Sequence, residues 1–162
     1  MALKKKVNVI NCEDKKLSDS SKNSNKYILE KQVGHLLRRA HQRHTWIFQK
    51  RIGDRSLTPV QFAALVKLNV LGEVSQNQLG RNTAMDASTM QGVIKRLASR
   101  GLIERKADPN DRRRLLLSLS EEGKKVLELA IPSGRIITNS TLSPLSDDEQ
   151  KTLIALLKKI SY

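Results

Sequence analysis

Aromatic side chains are scarce in this 162-residue chain, at 3% of the residues, and cysteine occurs once, at Cys12. Few aromatics argue against a platform for stacking single-stranded bases. A lone cysteine excludes a disulfide framework or a cysteine-based metal site within one chain, and fits a reducing cytoplasm. No apolar run approaches the roughly 18 to 20 residues that cross a bilayer. Behind Lys4-Lys5-Lys6, the stretch Val7-Asn8-Val9-Ile10 is too short for the apolar core of a signal peptide, so a cytoplasmic protein without a membrane segment is expected. Gly-rich phosphate loops are absent, and no serine or cysteine nucleophile has an evident histidine or carboxylate partner, so neither an enzyme nor a cofactor is expected. No repeat with a period of about 20–50 residues is visible. Acidic residues are also few. Lys and Arg outnumber Asp and Glu by 30 to 16, and the field of a +14 chain attracts polyanions, with nucleic acid the first candidate.

What is present centres on Val74 to Leu119. Asp86-Ala-Ser-Thr-Met-Gln-Gly-Val-Ile-Lys-Arg-Leu-Ala-Ser-Arg100 reads as a helix in which Met90, Val93, Ile94 and Leu97 form a buried stripe at i, i+3, i+4 and i+7. Ser88, Gln91, Gly92, Lys95, Arg96 and Ser99 recur about half a turn away, and with Thr89 they supply hydroxyl, amide and cationic groups suited to phosphates and major-groove base edges. Asp86 can cap this helix through the amide of Ser88 or Thr89, and Gly101 can close it in a left-handed conformation. Upstream, Ser75 and Gln78 fit a capping box opening a short helix, which meets the first across Thr83-Ala84-Met85. Downstream, Ile103–Lys106 and Arg113–Leu119 can pair as a hairpin with its turn at Ala107–Arg112. A helix-turn-helix followed by a basic hairpin is a winged helix. Between Lys95 and Arg114 there are eight basic residues against three acidic ones, and Arg112, Arg113 and Arg114 sit where a guanidinium can meet the potential of a narrow minor groove.

Ser75-Gln-Asn-Gln-Leu-Gly-Arg81, Gly101-Leu-Ile-Glu-Arg105, Asp108-Pro-Asn-Asp-Arg-Arg113 and Leu119-Ser-Glu-Glu-Gly123 together resemble the MarR family of bacterial transcription regulators. The resemblance runs from about Lys31 to Ile160, and its most specific piece is the wing signature at 108–113. It implies a homodimer whose N- and C-terminal helices interleave, bound as a repressor to duplex DNA, and in many members released by small phenolic or aromatic carboxylate ligands. It further implies that Arg113 enters the minor groove and that Asp111 helps to hold the loop. Alternation along the hairpin points Arg112 and Arg114 away from the groove.

Along the chain, residues 1–25 mix Lys, Ser, Asn and Asp in a composition suited to a flexible basic tail. A long helix is expected from Lys26 to about Ile52, ending near Gly53. Thr58-Pro59 reads as cap and first-turn proline of a helix whose core positions are Phe62, Leu65, Val66 and Leu68. After the winged helix, Ser120 opens a helix through Val126, Leu127 and Ile131 that should bend or break at Pro132. Ser146-Asp-Asp-Glu149 caps a last helix carrying Leu153, Ile154, Leu156, Leu157 and Ile160. The fold class is therefore mainly α with a small β-hairpin wing: a winged helix-turn-helix at 57–120, flanked by a helical dimerisation region at 26–56 and 121–162. The terminal segments hold more apolar positions than the small lobe can cover, as an interface would. A two-fold dimer would address a pseudo-palindromic operator with half-sites about one DNA turn apart.

All three histidines fall in His35-Leu-Leu-Arg-Arg-Ala-His-Gln-Arg-His44. His35, Arg38, His41 and His44 follow one another at steps of three, which drift about 60° per step around a helix and so argue against zinc. Solvent-facing or interface-packing basic residues are one reading of this row. An anion pocket is the other: by the family resemblance Arg38 and His44 match the residues that bind the carboxylate in members sensing aromatic acids, with His41 beside them and Trp46 and Phe62 as aromatic walls. The sequence reading is thus a ligand-released repressor. A winged-helix module for nucleoid binding or protein contact, without ligand control, is the alternative.

Overall fold

The computed structural model describes residues 27–109 and 111–161, with the side chains of Arg112 and Arg113 excepted. The expected tail, Cys12 included, lies outside the described residues. Two compact units divide the chain at Leu36 and Leu37.

In the first unit the long helix expected from Lys26 begins late. Leu29–Lys31 form a single 3-10 turn, and α1 starts only at Val33, running to Arg51. Gln32 explains the delay. Its backbone is extended (φ −84°, ψ 130°), its amide donates to Leu29 O at 3.0 Å, and its side-chain Nε2 donates to Ile28 O at 3.0 Å. The polar groups of the turn are satisfied locally, so nothing drives them into the α ladder.

In the second unit the remainder of α1 buries Ile47 and Phe48, and Gly53 turns the chain at φ +85°. Helix α2 (Pro59–Leu71) is opened by a complete capping box: Thr58 Oγ1 accepts from the amide of Gln61, and Gln61 Oε1 accepts from that of Thr58. Leu65 and Leu68 are fully buried, with Phe62 and Val66 packed half-buried beside them. A two-residue strand that the sequence reading had not singled out follows, β1 (Val74–Ser75), then α3 (Gln76–Thr83) and α4 (Ala87–Ser99). Only the Ser75 half of the box opening α3 forms, Oγ accepting from the amide of Gln78 at 3.3 Å.

The wing consists of β2 (Ile103–Asp108) and β3 (Asp111–Leu119), antiparallel, with β1 paired to the other edge of β3 through Val74↔Leu117 and Ser75↔Leu116. The turn is tighter than 107–112, because pairing continues past a register irregularity after Ala107 to Asp108↔Asp111. Asp108 is buried there at 8% exposure.

Helix α5 (Glu121–Leu142) continues through Pro132, so of the two expected outcomes, a bend or a break, the break does not occur. Proline in a helix interior loses one hydrogen bond and clashes with the carbonyl four residues back, at about 3 kcal/mol. Burial of Leu127 and Ala130 before it and Ile137 after it holds both halves to one core and offsets that cost. Helix α6 (Asp147–Ser161) starts on the Ser146–Glu149 box and buries no residue at all. Ile154, Leu156, Leu157 and Ile160 are exposed on it, as are Leu129 and Ile136 on α5. Among the described residues no helix is long and apolar enough to cross a membrane, and no group of three or more His, Cys, Asp or Glu could hold a metal.

Candidate nucleic-acid interface and effector site

Helix α4 presents the two characters expected of it. Met90, Val93, Ile94 and Leu97 are buried, while Ser88, Gln91, Lys95 and Arg96 are exposed, with Thr89 and Gly92 half-buried between the faces. Asp86 caps the helix, Oδ1 accepting from the Thr89 amide at 2.9 Å. The same carboxylate also accepts the hydroxyl protons of Ser88 and Thr89, both at 2.6 Å, and these bonds together with the Thr89 amide hold it well below the usual carboxylate range. Ser88 and Thr89 therefore turn lone pairs outward rather than protons, and the donors of this face are Gln91, Lys95 and Arg96. Gly92 lies under the Arg96 guanidinium, which an added Cβ would meet at 3.3 Å, so the missing side chain leaves that arginine lying along the helix. Gly101 closes the helix at φ +69°.

At the turn before α4, Ala84 adopts a left-handed conformation (φ 51°, ψ 40°), and the amide of Met85 donates to Gly80 O at 3.0 Å. This fixes α3 against α4. On the wing, Lys106 is compensated by Glu73 and Glu104 at 3.6 and 3.5 Å, and Arg105 donates to the Ile94 carbonyl at 3.3 Å. Arg114 is exposed and lines a cleft of about 300 Å³ with Ser75, Gln76, Asn77 and Leu115. Gln76 and Asn77 were not singled out from the sequence, although the polar run Ser75–Gln78 was the available signal. The side chains of Arg112 and Arg113 lie outside the described residues, and Asp111 is half-buried.

The second constellation lies on α1. At 100° per residue, Arg38, His41 and His44 spread over an arc of about 120° centred on His41, with Phe48 falling inside it. Phe48 packs edge-on to Phe62 of α2 (centroids 5.9 Å apart) and stands 6.4 Å from the His44 ring. His44 Nδ1 is 3.1 Å from Thr141 Oγ1 on α5. Partial burial first, and the neighbouring His41 second, push the His44 pKa below its ordinary value. Arg38, His41 and His44 thus share one side of α1, and Phe62 of α2 packs against Phe48 on that side. Trp46 does not join them. It points about 160° away from His44 around the helix, is 64% exposed, and lines a separate open cleft of about 890 Å³ with Arg43, Lys50, Arg51, Asn139, Ser140 and Ser143.

The sequence pattern of the MarR family matches residues 57–115, from the end of the loop before α2 into the wing. The transcriptional repressor NicR of Pseudomonas putida is 40% identical over 134 residues, covering 83% of this chain and 85% of its own. The chain belongs to the MarR family. It is accordingly a DNA-binding transcription regulator with the winged-helix fold of that family. Among solved structures, a probable transcriptional regulator from Pseudomonas aeruginosa superposes with a TM-score of 0.79 at 51% identity, covering 82% of this chain and 99% of that one. BpsR of Bordetella bronchiseptica, whose DNA binding is regulated by 6-hydroxynicotinic acid, superposes with a TM-score of 0.80 at 42% identity over 85% of this chain and 98% of its own.

Proposed function

We propose that this MarR regulator is a homodimeric repressor that binds a pseudo-palindromic operator and leaves it when a small aromatic carboxylate occupies the arc of Arg38, His41 and His44. The observation that carries the reading is this arc, set over the Phe48–Phe62 pair and closed on one side by Thr141 of α5. A guanidinium offers a planar fork that matches a carboxylate, imidazole supplies a further polar contact, and the phenyl rings give the ligand ring an apolar floor. The similarity to BpsR supports an acid of the hydroxynicotinate type as a first probe. Operator contacts come from Gln91, Lys95 and Arg96 in the major groove and from Arg113 in the minor groove, with Ser88, Thr89, Gly92, Asp111, Arg112 and Arg114 around them.

Helix α1 joins the apolar terminal region to the DNA-binding lobe, so a ligand seated on it biases the dimer only to the extent that it binds the released form more tightly. A full reversal of a 99:1 ratio takes about 5.5 kcal/mol of such preference. The test is to titrate benzoate-, hydroxybenzoate- and nicotinate-type acids against the preformed operator complex. Arg38→Ala should keep operator binding and lose release, and His44→Ala should lose release in part. If the wild type responds to an acid and Arg38→Ala responds equally, the pocket is elsewhere. Equal affinity for any duplex at moderate salt would instead favour a nucleoid-binding module.

A further inference from the structure

The hydrogen bonds around His44 form a chain with a fixed direction. Thr141 Oγ1 lies 2.8 Å from the carbonyl of Ile137, one turn back along α5, and 3.1 Å from His44 Nδ1. A carbonyl only accepts, and a threonine hydroxyl has a single proton. The contact with Ile137 spends that proton, so the contact with His44 requires Nδ1–H to donate to the threonine oxygen. Thr141 is held in place from a second side, because Arg43 donates to its carbonyl at 2.7 Å and to that of Ser140 at 3.4 Å. The neutral His44 ring therefore carries its proton on Nδ1 and a bare lone pair on Nε2, which has no hydrogen-bond partner among the described residues.

Resting on the effector reading above, we propose that Thr141 is a specificity-determining residue: by fixing the His44 tautomer it makes Nε2 an acceptor, so that a cognate effector brings a hydrogen-bond donor, a hydroxyl or a ring N–H, to His44 as well as a carboxylate to Arg38. Partial burial and the adjacent His41 favour the neutral ring, which keeps the lone pair available. A carboxylate placed against Nε2 would set lone pair against lone pair unless the ring first took up a proton. An acid with a suitably placed hydroxyl satisfies both groups at once, whereas its unhydroxylated parent leaves Nε2 desolvated and unpaired. Thr141 touches no ligand in this scheme and acts through His44.

Two measurements on the full-length protein test this. Long-range proton–nitrogen correlation at pH 7.5 reads the tautomer directly, with no ligand present: the wild type should show an unprotonated Nε2 and a protonated Nδ1, and Thr141→Val should lose that bias while Thr141→Ser keeps it. Calorimetric titration with benzoate and with 2-, 3- and 4-hydroxybenzoate should show at least one hydroxylated acid binding roughly 10-fold or more tightly than benzoate. That preference should collapse in Thr141→Val and return in Thr141→Ser, with operator affinity in the absence of acid unchanged in both. An Nε2–H ring in the wild type, or a preference that survives Thr141→Val, overturns the proposal while leaving the effector site standing. Failure of all four acids to bind removes the effector reading and this one with it, whatever the tautomer.

Discussion

Asp54, in the loop that leaves α1, forms an ion pair with Arg100, the residue at the end of α4, across 46 positions of sequence. Both side chains are about one-third exposed, and Arg100 Nη1 is buried with no partner of its own. Among the described residues the guanidinium has this one carboxylate as its ion-pair partner. Asp54→Asn should destabilise the protein by about 1–2 kcal/mol, the larger part from leaving the half-buried guanidinium poorly paired. Partial burial works to raise the Asp54 pKa, but hydrogen bonds from Ser56 and Arg100 outweigh it and hold the group low. A depressed carboxylate stabilises fully above its unfolded value of about 3.9 and loses that contribution as pH falls through the folded value. Urea melts from pH 7 to pH 3 should show this decline in the wild type and a shallower one in Asp54→Asn.

Gly123→Ala should be among the most damaging single-methyl changes available in this chain. A Cβ at 123 would stand 2.0 Å from Leu102 O, a backbone atom that cannot swing aside. A loss of about 3 kcal/mol or more, or failure to fold, is expected. Gly34→Ala is the control, since nothing lies within 4 Å of its Cβ position, and it should be neutral or stabilising by up to about 1 kcal/mol. Thermal unfolding of the two variants side by side checks the contrast.

Removing residues 147–162 should leave the winged-helix lobe folded and abolish the dimer. Among the described residues helix α6 buries nothing and exposes Ile154, Leu156, Leu157 and Ile160, the apolar side that a second copy would cover in the proposed dimer. Sedimentation velocity of the shortened protein should give monomers or aggregates. A shortened protein that sediments as a clean dimer would place the interface elsewhere.

Gln91 and Lys95 are exposed one turn apart on α4. Gln91→Ala should change the ranking of operator variants, each affected position costing about 1–3 kcal/mol. Arg113→Ala should weaken binding to all variants containing the same minor-groove sequence, with the melting temperature unchanged. Fluorescence anisotropy over a panel of single-base operator variants separates the two, and a uniform loss for Gln91→Ala would make it a phosphate contact.

The parts legible in the sequence were those decided within a few residues. Caps at Asp86, Thr58 and Ser146 use a side chain and an amide three positions on, and Gly101 needs only its own backbone, so all four were readable. The parts that were not readable are settled at a distance. Strand β1 exists because Val74 and Ser75 find Leu117 and Leu116, and Pro132 stays helical because Leu127 and Ile137 share one core. The same holds for the site. The row from Arg38 to His44 announced itself by composition, but its partner Thr141 lies 97 residues away in an unremarkable stretch. Trp46 was expected as an aromatic wall beside that row, and it lines another cleft.

The junction between α4, the wing and α5 has a mechanical consequence. Ser120 Oγ donates to Gly101 O at 2.6 Å, the Ser120 amide donates to Leu102 O at 3.2 Å, and Gly123 lets α5 press directly on that peptide. The foot of α5 is thereby tied to the residues that follow α4 by two hydrogen bonds and a close backbone approach. Helix α5 has 22 residues, a rigid lever of about 33 Å. A tilt of about 5° at the end bearing Thr141 swings its foot by about 3 Å, a large fraction of the 3.4 Å that separates successive base pairs along a DNA strand. In the proposed two-fold dimer both feet would swing, and a shift of that size at each would put the pair of recognition helices out of phase with their half-sites.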